Sequence, residues 1–151
     1  AGSTRLADLI ERARPTMRQR ASVFVVSDFI SEAGWEAPLA RLAERHDVVA
    51  VRLFDPLEMT IPDLGLVLLQ DSETGEQAFV DTGRRGFRER FAEVATQREA
   101  ALRESLAHAG VDTLELSTEA DLGDAILRFV DARRQRSRMA AGSMPLARRR
   151  V

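Results

Sequence analysis

The segment VFVVSDFI, residues 23–30, decides the fold because it is apolar and β-branched and then carries two polar residues. Together with Ser22, its first four residues show no alternation of polar and apolar positions, which is typical of a strand covered on both faces in a parallel sheet. In open α/β sheets, ligands bind outside the carboxyl ends of the strands. Ser27 and Asp28 follow the predicted strand at that end, so they are the first candidate site residues.

Helical and extended patterns alternate on both sides of this segment. Leucine and isoleucine recur at helical spacing before it, and two apolar runs around a polar, glycine-containing turn predict a β-hairpin after it. The predicted elements in chain order are a helix over 4–14, a strand over 22–26, a helix over 35–45, a strand over 47–54, hairpin strands over 64–70 and 77–81, a helix over 84–108, a strand over 112–116 and a helix that a Thr118–Asp121 capping box opens. The long helix is expected to carry Val94 on its apolar face, and the last helix to bury Leu122 and Ile126.

This order predicts an α/β fold: a partial doubly wound sheet of about three parallel strands, with an inserted β-hairpin and helices on both faces. Three strands are few for such a sheet, and the chain begins with a helix rather than a strand. The sequence therefore resembles the C-terminal part of a larger domain whose first strands are missing. The domain is expected over 4–134. Residues 135–151 lack periodicity and contain many arginines, which predicts a basic, disordered tail.

Absent residue types exclude several kinds of chemistry. The chain has no Cys, which excludes thiolate nucleophiles, disulfides and cysteine-ligated metal centres. It also has no Lys, which excludes a P-loop lysine and Schiff-base catalysis. All 22 basic residues are Arg, a bias typical of a high-GC genome. No apolar run approaches the roughly 20 residues of a membrane helix, so a cytoplasmic location is expected, and a membrane anchor elsewhere in a longer parent protein is compatible with this.

Charge is unevenly distributed along the chain. Residues 1–131 contain 15 arginines and all 24 acidic residues, a net charge of −9, whereas residues 132–151 contain seven arginines and no acid. An acidic body argues against nucleic acid as the partner of the folded part. The arginine-rich end could bind anionic lipid or nucleic acid, although a solvated basic terminus explains it more simply.

Acidic residues at the carboxyl ends of strands suggest a metal site. Asp55 follows the second strand as Asp28 follows the first, and neighbouring strands lie about 4.8 Å apart, so both carboxylates and the Ser27 hydroxyl could converge. Such oxygen ligands suit Mg²⁺, Mn²⁺ or Ca²⁺. Glu58 adds a third acid that could serve general acid–base chemistry. The simpler interpretation is that Asp28 caps a loop and that Asp55 makes a turn with Pro56.

The two histidines are expected at the opposite edge of the sheet. His46 and His108 each end a predicted helix and precede a predicted strand, which places them near the amino ends of strands. A catalytic triad with Ser27 would need a histidine at the carboxyl edge, so hydrolysis by a triad is not expected.

Several of these stretches, in the same order, resemble the C-terminal half of the von Willebrand factor A-like domain of a bacterial family of unknown function, whose members are typically encoded beside MoxR-type AAA+ ATPases. The resemblance covers about residues 4–134 and depends most on the stretches SDF, RHDVVAVRLFDPLE and DSETG. It implies that Asp28, with Ser27 beside it, is the sheet-edge aspartate of a metal-ion-dependent adhesion site. The Asp-x-Ser-x-Ser loop of such sites is absent from this chain. The resemblance therefore implies Mg²⁺ or another divalent cation in the intact parent protein, and an incomplete site without a cofactor here.

The resemblance and the lack of catalytic machinery predict a non-enzymatic protein-interaction domain. It would be an adaptor or partner of a MoxR-type AAA+ ATPase in protein assembly or maturation. The alternative is an enzyme, a metal-dependent hydrolase or phosphotransferase that uses Asp28, Asp55 and Glu58.

The missing strands have a structural consequence. Without them, the strand over 22–26 would present an exposed apolar edge, with Val23 and Val25 as its interaction residues. Unpaired edges invite pairing with another chain, so self-association through this strand is expected.

Overall fold

The computed structural model describes residues 5–30, 33–70 and 75–142. The helices and strands follow the predicted order, and their bounds are α1 Leu6–Ala13, β1 Ser22–Ser27, α2 Glu36–Ala43, β2 Asp47–Phe54, β3 Leu66–Gln70, β4 Gln77–Asp81, α3 Arg85–His108, β5 Asp112–Ser117 and α4 Leu122–Gly142. Short 3₁₀ turns, Arg14–Thr16 and Pro56–Glu58, follow α1 and β2. The chain divides into two compact units, residues 1–119 and residues 120–151. Both sheets belong to the first unit, and α4 belongs to the second.

The fold is α/β, as predicted. Strands β1, β2 and β5 form a parallel sheet in the order β1-β2-β5, and β3 and β4 form a separate antiparallel hairpin. The central strand is β2, whose apolar run from Val48 to Val51 is buried throughout. A central strand of a parallel sheet needs apolar residues on both faces, and β2 has the sequence for this position.

The main core lies on one face of the parallel sheet. Alternate residues of a strand share a face, so Val23 and Val25 of β1 point to the same side as Val48 and Ala50 of β2. Helices α1 and α2 and the end of α3 supply most of the remaining core, whose buried members are Leu6, Ile10, Phe29, Trp35, Leu39, Leu42, Val48, Ala50, Leu106 and Ala109.

The prediction that β1 is covered on both faces is wrong. It is an edge strand, and burial alternates along it. Val23 and Val25 pack against the core, whereas Phe24 and Val26 point to the other face and are 61% and 59% exposed. An apolar run indicates a strand without indicating whether that strand has one neighbour or two. The apolar side chains that this strand exposes are Phe24 and Val26, whereas the side chains of Val23 and Val25, the predicted interaction residues of the edge, face the core.

The apolar face of α3 is shifted from the predicted one. Val94 is exposed, and the buried residues of this helix are Ala95, Glu99 and Leu106. The shift follows from a charge, because the buried stripe contains Glu99, which pairs with an arginine of β2. Hydrophobic periodicity alone does not detect a buried carboxylate.

The start of α4 also differs from the prediction. The Asp121 carboxylate accepts the backbone N–H of Asp124 at 2.8 Å, so Asp121 itself caps the helix and the predicted capping box with Thr118 does not form. Leu122 and Ile126 are exposed, contrary to the prediction that they are buried. The buried residue near the start of α4 is Ala125.

The end of α4 overlaps the predicted disordered tail. The helix continues to Gly142, so residues 135–142 are helical, contrary to the prediction that the tail begins at 135. Arginine is a strong helix former, and Arg134 lies 3.9 Å from Asp131 one turn earlier, which favours the helix without any apolar stripe. The rest of the predicted tail, residues 143–151, lies outside the described residues.

Candidate functional site

The carboxyl edge of the parallel sheet collects the polar residues that the sequence indicated. Ser27 ends β1, Asp55 directly follows β2, and Thr118 directly follows β5. Because the three strands run in the same direction, these residues and Asp28 stand at one edge. The backbone N–H of Thr118 donates to the Phe54 carbonyl at 3.0 Å, so the pairing of β2 with β5 continues one residue past β5.

Ser27 and Asp28 fold the chain back at the end of β1. The Ser27 hydroxyl oxygen accepts the backbone N–H of Phe29 at 3.0 Å, and the Asp28 carboxylate accepts that of Ile30 at 3.0 Å. Between them, Phe29 adopts a left-handed backbone with φ of 59°, which is unusual for a bulky residue. Its ring is buried against Trp35, with ring centroids 5.2 Å apart. Two polar residues follow the apolar run because they hold the turn that buries this ring.

Asp55 connects the ends of two strands. One carboxylate oxygen, Oδ1, accepts the backbone N–H of Leu57 at 2.9 Å, and the other, Oδ2, accepts the Thr118 hydroxyl at 3.2 Å. The Glu58 carboxylate accepts the backbone N–H of Asp55 at 3.3 Å, which completes a capping box around the 3₁₀ turn. One Asp55 oxygen therefore stabilises a turn, as the simpler interpretation predicts. The other oxygen links the end of β2 to Thr118 after β5.

The carboxylates do not assemble a metal site. Within residues 5–30, 33–70 and 75–142, no group of three or more His, Cys, Asp and Glu side chains is arranged to hold an ion. Asp28, Asp55 and Glu58 all belong to these ranges, and each already accepts a backbone N–H. A divalent ion such as Mg²⁺ takes about six oxygen ligands, so the residues present do not by themselves fit it.

The two histidines lie away from the carboxyl edge. The ring nitrogen Nδ1 of His46 accepts the backbone N–H of Ala21 at 3.3 Å, just before β1 and β2 begin. The ring of His108 lies 2.9 Å from the Glu104 carbonyl on its own helix. Neither histidine lies at the edge of the sheet that carries Ser27, because His46 precedes β2 and His108 precedes β5. A triad with Ser27 is thus not formed.

A cleft of about 280 Å³ lies beside His46. Its wall includes Glu11, which accepts hydrogen bonds from Arg41 and from Arg14. These two guanidinium groups, Arg41 foremost, hold the pKa of the Glu11 carboxyl below its ordinary value. All three side chains are well exposed, so this ion pairing adds little to stability.

Arg52, Glu99, Arg103 and Glu115 form an ion cluster that the sequence does not predict, in which Arg52 and Glu99 are buried and Arg103 is exposed. The Arg52 guanidinium, whose side chain is 4% exposed, meets the Glu99 carboxylate with both terminal nitrogens, at 2.9 and 2.6 Å. Arg103 approaches Glu99 at 3.2 Å and meets Glu115 at 2.9 and 3.1 Å. The hydrogen bonds that Arg103 donates to the Glu115 carboxylate raise the pKa of Arg103 above its ordinary value. The one sequence signal is an arginine inside the otherwise apolar strand DVVAVRLF.

This cluster borders a cavity of about 210 Å³ between β2 and α3. Phe54, Met59 and Thr96 line it together with Arg52, whose guanidinium carbon lies 4.8 Å from the centre of the Phe54 ring. Two cations and two carboxylates balance, so the cluster offers no surplus charge to a ligand. Its role in the fold is to join β2, α3 and β5.

The hairpin presents an exposed apolar surface. Leu68 pairs with Phe79 across the two strands, and Leu66 lies two residues before Leu68 on the same face. We refer to Leu66, Leu68 and Phe79 as the hairpin patch. Leu66 is 70% exposed and Phe79 is 74% exposed. Contiguous exposed apolar groups of this kind mark interaction surfaces more often than single exposed residues do.

The base of the hairpin is fixed by a buried threonine. Thr82 follows β4, and its backbone N–H and its hydroxyl both donate to the Gly65 carbonyl at 2.8 Å. The same hydroxyl accepts the backbone N–H of Leu64 at 2.9 Å. Arg88 of α3 donates to the Gly83 carbonyl at 3.0 Å and lies 3.4 Å from Asp63. These contacts link the residue before β3 to the residue after β4 and join both to α3, so the base of the hairpin is held in place.

A family profile described as "Protein of unknown function DUF58" matches residues 1–101, two-thirds of the chain. This chain belongs to the DUF58 family. The matched part contains β1, β2, the hairpin and the polar residues at 27–28 and 55–58, and it ends within α3.

Three uncharacterized mycobacterial proteins are similar to this chain. The chain is 35% identical over 132 residues to the uncharacterized protein MAV169 of Mycobacterium avium, and the match covers 86% of this chain and 76% of that protein. It is 34% identical over 132 residues to the uncharacterized protein Rv1480 of Mycobacterium tuberculosis, of which it covers 41%. The uncharacterized protein Mb1516 of Mycobacterium bovis gives the same identity and coverage. No solved structure matches the chain significantly.

In the part of the chain that the structure describes, no helix combines the length and the apolar composition that crossing a bilayer requires.

Proposed function

We propose that this DUF58 chain is a non-enzymatic protein-interaction domain that binds a MoxR-type AAA+ ATPase in protein assembly or maturation. The observation that carries the proposal is the hairpin patch, an exposed apolar surface on a fixed support. The identity of the partner rests on the motif series in SDF, RHDVVAVRLFDPLE and DSETG, which resembles a family encoded beside such ATPases.

The energetics of the hairpin patch favour a docking role. A two-stranded hairpin is marginally stable alone, and Phe79 keeps most of its ring in water. Burying apolar surface contributes about 25 cal/mol per Å², so one phenylalanine covered by a partner contributes on the order of 2 kcal/mol. Because Thr82 already fixes the base of the hairpin, docking would require little further ordering of its backbone.

The carboxyl edge supports the non-enzymatic part of the proposal. A general base or a metal ligand needs a carboxylate that is available to its substrate or ion. In Asp28, Asp55 and Glu58, one carboxylate oxygen accepts a hydrogen bond from a backbone N–H in a turn. These hydrogen bonds account for one oxygen of each carboxylate, and the second Asp55 oxygen accepts the Thr118 hydroxyl.

Replacing Phe79 with aspartate is expected to weaken binding of a MoxR-type AAA+ ATPase by at least about tenfold. The substitution places a charge at the centre of the hairpin patch, where docking would desolvate it. The affinity is measured by pull-down and by isothermal titration calorimetry, with and without Mg²⁺.

A matched control for Phe79→Asp is Leu9→Asp, which introduces the same charge at an exposed apolar residue of α1, far along the chain from the hairpin. The control is expected to bind as the unaltered chain does. The proposal fails if the ATPase ignores the unaltered chain in both conditions, or if Phe79→Asp binds as tightly as Leu9→Asp.

The rival function, a metal-dependent hydrolase or phosphotransferase, makes a different prediction. We expect Mn²⁺ to bind this chain no tighter than millimolar, because Asp28, Asp55 and Glu58 do not form one ligand group. Electron paramagnetic resonance of free Mn²⁺ measures this directly. Micromolar binding that Asp55→Asn abolishes, while Asp63→Asn retains it, would favour the enzyme.

A further inference from the structure

The cleft beside His46 has a surplus of positive charge. It has a volume of about 280 Å³, and its charged lining consists of Glu11, Arg14, Arg41 and Arg45. Three cations and one carboxylate leave two positive charges, whereas the charges around the cavity between β2 and α3 balance. This local surplus occurs within residues 1–131, whose net charge is −9. A cationic cleft on an acidic body is a candidate site for an anion.

The ends of two helices explain only part of this charge. The cleft lies where α1 and α2 end, and a helix C-terminus carries a partial charge of about −0.5, which favours a nearby cation. Two such termini offset about one of the two surplus charges. About one positive charge therefore remains without a counterion among the residues that line the cleft.

The arginines keep most of their hydrogen-bond donors available. One Glu11 oxygen accepts a hydrogen bond from Arg41, and the other accepts one from Arg14 at 2.9 Å. Each of these arginines donates to Glu11 through a single terminal nitrogen, and a guanidinium has five N–H donors. The Arg45 side chain forms no hydrogen bond or ion pair with any residue in the described part of the chain. Glu11 thus holds two guanidinium groups together without occupying all their donors.

His46 adds a donor whose position the fold fixes. This residue is 7% exposed, and its Nδ1 accepts the backbone N–H of Ala21 at 3.3 Å. A neutral imidazole that accepts at Nδ1 carries its proton on Nε2. His46 lines the cleft, and its Nε2–H donates to no other residue within 5–30, 33–70 and 75–142. A fixed donor at the wall of a cationic cleft suits an anionic acceptor.

The charge of the ligand follows from competition with Glu11. A carboxylate ligand would offer Arg14 and Arg41 only what Glu11 already provides. A phosphate monoester carries a charge of about −1.5 to −2 at neutral pH and has three strong acceptor oxygens. It can therefore compete for these guanidinium groups and contact Arg45 and His46 at the same time.

The size of the cleft indicates that the ligand is larger than phosphate alone. At about 30 Å³ per water molecule, a volume of about 280 Å³ is more than one phosphate group fills. Pro15 and Leu42 add apolar lining beside the charged groups. A small organic group attached to the phosphate would contact this lining.

We propose that the cleft at the ends of α1 and α2 binds a small phosphate monoester, whose phosphate group accepts hydrogen bonds from Arg14, Arg41, Arg45 and the Nε2–H of His46. Glu11 is a positioning residue, because it holds two of the arginines. The cleft shares no residue with the hairpin patch, so its test is independent of the ATPase proposal.

Phenyl phosphate is a suitable probe, because it combines a phosphate monoester with a small apolar ring. Isothermal titration calorimetry of the whole chain is expected to show that it binds at least about tenfold more tightly than benzoate, which carries a carboxylate on the same ring. Inorganic phosphate should bind more weakly than phenyl phosphate, because it lacks the apolar group. The proposal is overturned if phenyl phosphate does not bind at millimolar concentration, or if benzoate or inorganic phosphate binds as tightly.

A variant with a matched control tests the place of binding. Arg45→Gln is expected to weaken phenyl phosphate binding about tenfold, and its exposed side chain makes no contact on which folding depends. Arg98→Gln removes the same charge from an exposed position on α3 and should bind as the unaltered chain does. Circular dichroism checks that both variants fold. Equal affinities of the two variants for phenyl phosphate would overturn the proposed site.

The two histidines allow a test of the donor. Heteronuclear NMR of the imidazole nitrogens at constant pH is expected to show that phenyl phosphate shifts the Nε2 resonance of His46 and leaves that of His108 unchanged. His108 is the control, because its ring contacts the Glu104 carbonyl on α3 and does not line the cleft. Equal shifts of the two histidines, or no shift of either at saturating phenyl phosphate, would overturn the assignment of His46 as a donor.

Discussion

Glu99→Leu is expected to lower the free energy of unfolding by about 3–5 kcal/mol. The substitution leaves the Arg52 guanidinium buried, charged and without the carboxylate that meets both of its terminal nitrogens. Arginine cannot lose its proton at any ordinary pH, so the molecule has no inexpensive way to neutralise it. Urea denaturation followed by far-ultraviolet circular dichroism measures the change.

Two control variants separate the buried charge from loss of packing. Replacing both partners, Arg52→Met with Glu99→Leu, removes both charges and is expected to recover most of the lost stability. Glu115→Gln weakens only the more exposed pair with Arg103 and should cost about 1 kcal/mol or less. A Glu99→Leu chain as stable as the unaltered one would contradict the description of Arg52 and Glu99 as a buried ion pair.

Trp35→Ala is expected to destabilise the fold by about 3–5 kcal/mol. Trp35 precedes α2, its side chain makes no capping hydrogen bond, and it is buried in the main core. Its ring is the surface on which Phe29 packs, and Phe29 is held there by the turn that Ser27 and Asp28 form. Removing the ring leaves a cavity and removes the contact that stabilises the left-handed backbone of Phe29.

The comparison for Trp35→Ala is Leu9→Ala, which truncates an exposed side chain on α1 and should change stability by no more than about 0.5 kcal/mol. Trp35→Phe keeps an aromatic ring and is expected to show an intermediate loss. Since Trp35 is the chain's single tryptophan, unfolding must be followed by circular dichroism rather than by fluorescence. A loss from Trp35→Ala as small as that from Leu9→Ala would place Phe29 outside the core.

The order of the elements could be predicted because it depends on local patterns. The bounds of β2 match the predicted ones, since a helix end and Asp55-Pro56 delimit its apolar run. The hairpin strands were likewise marked by a polar turn with a glycine between two apolar runs. In both cases the deciding residues are adjacent in the sequence.

The features that were missed depend on distant residues. Arg52 and Glu99 are 47 residues apart, so neither predicts the other. Whether β1 has one neighbour or two is decided by the sheet order, which its own residues do not encode. Residues 135–142 are a local exception, because they lack the apolar stripe from which a helix is predicted, although arginine favours a helix without one.

At the carboxyl edge of the sheet, the sequence predicts the position of the polar residues but not the contacts that they make. Alternation of helices and strands correctly places Asp28 and Asp55 at one edge of the sheet. The roles of their oxygens are set by individual backbone N–H groups in the turns and by Thr118, which is 63 residues from Asp55. The sequence predicts that these residues lie at the carboxyl edge of the sheet. The hydrogen bonds in the structure are needed to show that their carboxylates stabilise turns.

Hydrogen–deuterium exchange of this chain with and without a MoxR-type AAA+ ATPase tests the proposed docking role of the hairpin patch most directly. We expect the ATPase to slow exchange in the hairpin strands β3 and β4, and Phe79→Asp to remove this protection. Protection confined to the turns at 27–30 and 55–58, or no protection anywhere at saturating ATPase, would contradict it.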